Sequence, residues 1–108
     1  MPLRIAIAQI NLLVGDIAGN VRRVLESTSR AKDALKAHAV VFPELTLSGY
    51  PPEDLVYKPH FLQQIELALD EVAKQSTGIT VVLGFPERHN GVLYNSAAVL
   101  QNGSVQTI

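Results

Sequence analysis

The segment richest in chemistry is Phe42-Pro43-Glu44-Leu45-Thr46-Leu47-Ser48-Gly49-Tyr50-Pro51-Pro52-Glu53-Asp54-Leu55. Glu44 falls two residues after the short apolar run His38–Phe42, which reads as a buried strand stopped by Pro43. That puts a carboxylate at the carboxyl end of a strand, where open α/β sheets place ligands. A carboxylate there is expected to be partly desolvated, which disfavours its ionised form and suits it to act as a general base. Pro43 fixes φ and restricts the direction in which Glu44 projects. Position alone leaves two roles open: proton acceptor, or a structural carboxylate that caps a backbone N–H or pairs with an arginine. Tyr50, after Gly49 and before two prolines, either presents its hydroxyl to a polar ligand or packs its ring over the loop with the hydroxyl in water. Glu53 and Asp54 suit a helix N-terminus, where anions are favoured, and Asp54 is also placed to brace the loop by accepting backbone N–H groups.

The remaining candidates are weaker. His38, His60 and His89 are widely separated and show no i,i+4 metal spacing. Gly15, Gly19 and Gly49 make neither a dinucleotide fingerprint nor a phosphate loop. Ser48-Gly49 lacks the preceding glycine of a nucleophile elbow. Lys32 and Lys36 lie on the wet face of a helix, where solvation is their expected role. Asn95 lies inside a strand, an unfavourable place for asparagine, and so points to a buried hydrogen-bonding role of a structural kind.

The chain contains no cysteine, which excludes disulfides, thiolate metal sites and thiol catalysis by its own residues. Nine Lys and Arg against ten Asp and Glu leave a formal charge of −1, with no electrostatic footprint for nucleic acid or an anionic membrane. No stretch approaches the ~18 apolar residues of a membrane span. Gln9, Asn11 and Asp16 interrupt the apolar start, so it reads as a strand rather than a signal peptide. A cytoplasmic location is the default expectation. Asn102-Gly103-Ser104 fits a glycosylation sequon but reads better as a turn.

The elements that must position these residues follow from periodicity. Leu3–Ile10 alternates and suits a buried first strand. Asn20–Ala37 carries Val21, Val24, Leu25, Ala31 and Leu35 at helical spacing, with Asn20 as its expected N-cap. A long Pro- and Gly-containing connection spans Pro43 to Pro59. A second helix carries Phe61, Leu62, Ile65, Leu69 and Val72 and ends at Ser76-Thr77-Gly78. Ile79–Gly84 is a third, β-branched strand. Val92–Leu100 and Ser104–Ile108 form two more, joined by Asn102-Gly103, whose residues tolerate the positive φ of a type I′ turn. His89-Asn90-Gly91 is a further turn. The order β-α-β-loop-α-β-β-β implies an α/β fold: one mixed sheet with two helices on one face and an antiparallel edge section.

Several of these residues resemble a known family. Arg4-Ile5-Ala6-Ile7-Ala8-Gln9-Ile10-Asn11, Val14-Gly15-Asp16, Asn20 and Val41-Phe42-Pro43-Glu44-Leu45 resemble the opening of the nitrilase (carbon–nitrogen hydrolase) superfamily. Leu47-Ser48-Gly49-Tyr50-Pro51-Pro52-Glu53-Asp54-Leu55 is similar to the glutaminase domains of glutamine-dependent NAD synthetases, and Leu93-Tyr94-Asn95-Ser96-Ala97 fits the superfamily's fourth-strand pattern. The resemblance implies an α-β-β-α sandwich, of which residues 1–108 are the N-terminal portion. It also implies a Glu-Lys-Cys catalytic set with Glu44 as its carboxylate, and places Tyr50 near the glutamine substrate. The implied lysine and cysteine lie past Ile108, so the chain alone is expected to be inactive; Lys32, Lys36, Lys58 and Lys74 do not match the lysine. The implied activity is release of ammonia from glutamine for the ATP-dependent conversion of deamido-NAD to NAD. ATP and Mg²⁺ belong to a synthetase domain outside this chain, and a homo-oligomer is expected. Two alternatives remain: part of a stand-alone amidase of the same superfamily, or a non-catalytic α/β assembly module.

Overall fold

A computed structural model describes residues 2–108. In chain order these form β1 (Ile5–Ile7), α1 (Ile17–Asp33), β2 (Ala39–Val41), a 3-10 turn (Glu53–Tyr57), α2 (Pro59–Lys74), β3 (Thr80–His89), β4 (Val92–Gln101) and β5 (Ser104–Thr107). The strands make one five-stranded sheet in sequential order. β1, β2 and β3 run parallel, with Ala6 opposite Val40 and Val40 opposite Val81. Helical crossovers make that possible: α1 joins β1 to β2, and α2 lies in the connection to β3. β3, β4 and β5 are antiparallel. Both hairpins turn on adjacent positive-φ residues, Asn90-Gly91 and Asn102-Gly103, the signature of a type I′ turn.

Side chains alternate across a strand, and here one face carries the core. Val40, Val81, Leu83, Phe85, Ala98 and Leu100 are buried on the helix side of the sheet. Val21, Val24 and Ala31 of α1 meet them, with Phe61, Ile65, Leu69 and Val72 of α2, in a single cluster. Each Val, Leu, Ile or Phe among them contributes about 1.5–3 kcal/mol when fully buried. The other face is open: Ile5 is 52% exposed and Ile7 74% exposed, while Val41, Val82 and Val99 are half-buried. The described residues thus supply one helix layer and one sheet layer, as the expected mixed sheet with two helices on one face requires.

Four expectations need correction. The first strand is three residues long rather than Leu3–Ile10, and its isoleucines are exposed. Its partner β2 is itself only three residues long, so the ladder cannot extend further. The first helix starts at Ile17, and Asp16 caps it by accepting the Gly19 N–H at 3.0 Å. Asn20 lies inside that helix and is fully buried. β3 runs through Gly84 and Pro86 to His89. β2 stops at Val41, opposite Val82, so the later part of β3 has no parallel neighbouring strand, and Pro86 sits where a missing N–H is tolerated.

Candidate active site around Glu44

The chain leaves β2 along its own direction, because Phe42 N–H donates to the Val82 carbonyl at 2.8 Å. It then bends over β3. A Cβ built on Gly84 would lie 2.6 Å from Glu44 Cα and 2.6 Å from Leu45 N, so only glycine lets the backbone pass there. Strand alternation places Gly84 on the face away from the helices, with Val82 beside it and Ala97 opposite it on β4. Glu44 therefore enters the open side of the sheet.

The loop that follows is anchored from within. Thr46, Leu47 and Ser48 are fully buried. The Thr46 hydroxyl donates to the Pro43 carbonyl, and Leu47 N–H reaches the Gly84 carbonyl at 3.4 Å. The Ser48 hydroxyl lies 3.2 Å from the Leu45 carbonyl and 3.0 Å from that of Gly49. Asn20 ties this loop to the one before α1. Its Oδ1 accepts the Leu13 N–H at 3.0 Å, and its Nδ2 donates to the carbonyls of Leu13 at 2.9 Å and Leu47 at 3.2 Å. Gly15 N–H donates to the Ser48 carbonyl at 3.0 Å, closing the same junction. Gly49, with φ +79°, abuts the Val14 backbone, where a Cβ would come within 2.7 Å of Cα. A buried polar group costs little only when fully partnered, and Asn20 has every partner it needs.

Glu44 itself is exposed. The partial desolvation expected of it does not hold among the described residues, because the sheet face beside it is uncovered. Its carboxylate Oε2 accepts a hydrogen bond from Asn95 Nδ2 at 3.1 Å, across 51 residues of sequence. Among the described residues Glu44 accepts no backbone N–H and pairs with no arginine, so neither structural alternative is realised. Glu44, Gly84, Asn95, Ser96 and Ala97, with the end of β2, line an open depression of about 370 Å³. Ser96 Oγ also donates to Glu87 Oε1 at 2.9 Å.

Tyr50 lies on the same loop, 66% exposed, and does not line that depression. Its peptide bond to Pro51 is cis. Glu53 and Asp54 occupy the first turn of the short 3-10 element, and no side chain caps it. His38 Nδ1 accepts the Arg4 backbone N–H at 2.9 Å, and His60 Nε2 lies 3.1 Å from Gln64 Nε2. Sequence reasoning missed Gly84 and the role of Asn20. It singled out Asn95 but expected it to be buried, whereas it is exposed and faces Glu44. The signal in the sequence was an Asn within a strand and a Gly following a β-branched run.

The sequence profile of the carbon–nitrogen hydrolase family matches residues 4–106. A glutamine-dependent NAD(+) synthetase of Xanthomonas campestris pv. campestris is 44% identical over 104 residues, covering 96% of this chain and 19% of that protein. The crystal structure of a glutamine-dependent NAD(+) synthetase from Cytophaga hutchinsonii superposes with a TM-score of 0.90 at 34% identity, over 95% of this chain and 18% of that one. An amidase from Nesterenkonia sp. AN1, solved in complex with butyramide, superposes with a TM-score of 0.80 at 21% identity, over 97% of this chain and 41% of that one, a likeness of fold. The chain thus spans about a fifth of the length of the NAD synthetases it matches. With its profile matched over residues 4–106, the chain belongs to the carbon–nitrogen hydrolase family.

Proposed function

We propose that this chain is part of the glutaminase portion of a cytoplasmic, homo-oligomeric, glutamine-dependent NAD synthetase, with Glu44 as its general base. The observation that carries the reading is the placement of Glu44. Its backbone is seated on Gly84 and one carboxylate oxygen is held by Asn95, while its polar neighbourhood contains no competing cation among the described residues. Similarity to NAD synthetases over nearly the whole chain supports the choice of branch.

The chain has no cysteine, so the thiol that this chemistry needs comes from outside residues 1–108; the match to the family assigns the lysine there as well. Glu44 takes the thiol proton. The sulfur then forms a bond to the side-chain amide carbon of glutamine; the oxyanion collapses as Glu44 gives its proton to the departing nitrogen, the carbon–nitrogen bond breaks, and ammonia leaves behind a thioester. Water adds to the thioester with Glu44 again accepting a proton; the carbon–sulfur bond breaks, glutamate is released, and the proton returns from Glu44 to the sulfur to restore the thiol. The lysine stabilises the oxyanion. Tyr50, on the same loop, is assigned to glutamine binding by its match to the family's loop position. The ammonia is consumed in the ATP-dependent amidation of deamido-NAD. ATP and Mg²⁺ are assigned to the synthetase portion outside residues 1–108.

The test is to assay the protein with all its domains for ammonia release from glutamine and for NAD formation from deamido-NAD and ATP. Glutamine should support both. Ammonia release without NAD formation would favour the stand-alone amidase, and no release from glutamine would overturn the reading.

A further inference from the structure

Resting on the assignment of Glu44 as general base, we infer that Asn95 is a positioning residue that holds one oxygen of the Glu44 carboxylate and leaves the other to receive the proton. Asn95 lies within the ten-residue β4, opposite Pro86, and strand alternation puts its side chain on the same face as Ala97 and Gly84. That is the face over which the Glu44 backbone passes. Asparagine is disfavoured in strands, and an exposed one contributes nothing to the core. The one side-chain hydrogen bond that Asn95 makes among the described residues runs to Glu44 Oε2 at 3.1 Å. Glu44 is thereby fixed at two points: Gly84 sets its Cα and Asn95 sets its carboxylate. A neutral amide suits the task. It donates to the ionised carboxylate without the charge of a lysine or arginine, which would suppress its basicity.

The experiment compares Asn95→Ala, Asn95→Asp and Glu44→Gln in the full-length protein. Asn95→Ala is expected to lower glutaminase kcat roughly tenfold to a hundredfold, the scale of a lost hydrogen bond to a charged group. KM for glutamine should stay within about twofold. Asn95→Asp, nearly isosteric, offers the Glu44 carboxylate no donor and should lower kcat at least as far, again with KM little changed. A merely structural residue would lose rate only in step with a fall in Tm, so wild-type kcat in a folded Asn95→Asp protein overturns the inference. If Asn95→Ala does not fold, Asn95→Asp alone decides in the same way. Glu44→Gln separates the two levels: glutaminase activity surviving that change refutes the proposed function itself. Activity lost in Glu44→Gln with a wild-type kcat in Asn95→Ala refutes only the role of Asn95.

Discussion

Gly84 and Glu44 are in backbone contact: the hydrogen that Gly84 carries in place of a side chain faces the Glu44 Cα, and a Cβ there would approach to 2.6 Å. Forty residues apart in sequence, they lie one strand apart in space, where β2 has ended and β3 continues. The glycine is needed for clearance. Gly84 does not share the positive φ that makes glycine the natural choice at Gly49.

Gly84→Ala should therefore damage the site more than the fold's turns would suggest. The atoms in the way are backbone atoms, which cannot rotate aside. The expected result is a loss of roughly 2–3 kcal/mol of stability, as in overpacked cores, and a fall in glutaminase activity from displacement of Glu44. Thermal unfolding and ammonia release measure the two effects. Wild-type values of both would show that the loop relaxes freely.

Asn20→Leu keeps the approximate volume but strands the Leu13 N–H and the Leu47 carbonyl, both partnered by Asn20 in its buried site, while the Leu13 carbonyl keeps the Asp16 N–H at 3.1 Å. Unsatisfied buried groups cost about 1–3 kcal/mol each, and partial relaxation sets the expected loss at about 3 kcal/mol. Denaturant or thermal unfolding reads it. A loss below about 1 kcal/mol would mean that water reaches these groups.

Tyr50→Phe removes only a hydroxyl from a side chain that is 66% exposed, so stability should change by less than about 0.5 kcal/mol. Its proposed part in glutamine binding predicts a rise in KM of about threefold to tenfold with kcat nearly constant. An unchanged KM assigns Tyr50 to packing.

The order of elements was legible in the sequence because helical and alternating periods are local, and the two Asn-Gly turns announce themselves by residue type. Glu44 stands out as a candidate because a carboxylate just past an apolar run is a local pattern too. What escaped depends on distant partners. Asp16 and Asn20 are both good caps by type; the choice between them turns on the Leu47 carbonyl, 27 residues away, which claims the Asn20 amide. The passage of β3 through Pro86 depends on where β2 stops. The value of Gly84 and Asn95 depends on a loop that crosses the sheet, which no local pattern encodes. The exposure of Ile5 and Ile7 reflects the open sheet face rather than their own chemistry.

Glutaminase activity of the full-length Glu44→Gln protein, set beside its NAD synthesis from added ammonia, is the decisive measurement. Glutamine matches glutamate in size and can still accept from the Asn95 amide, but it cannot take up the thiol proton. Ammonia release from glutamine should fall roughly 10²–10⁴-fold, the usual contribution of a general base, while synthesis from added ammonia persists. Ammonia release at the wild-type rate would remove Glu44 from the chemistry.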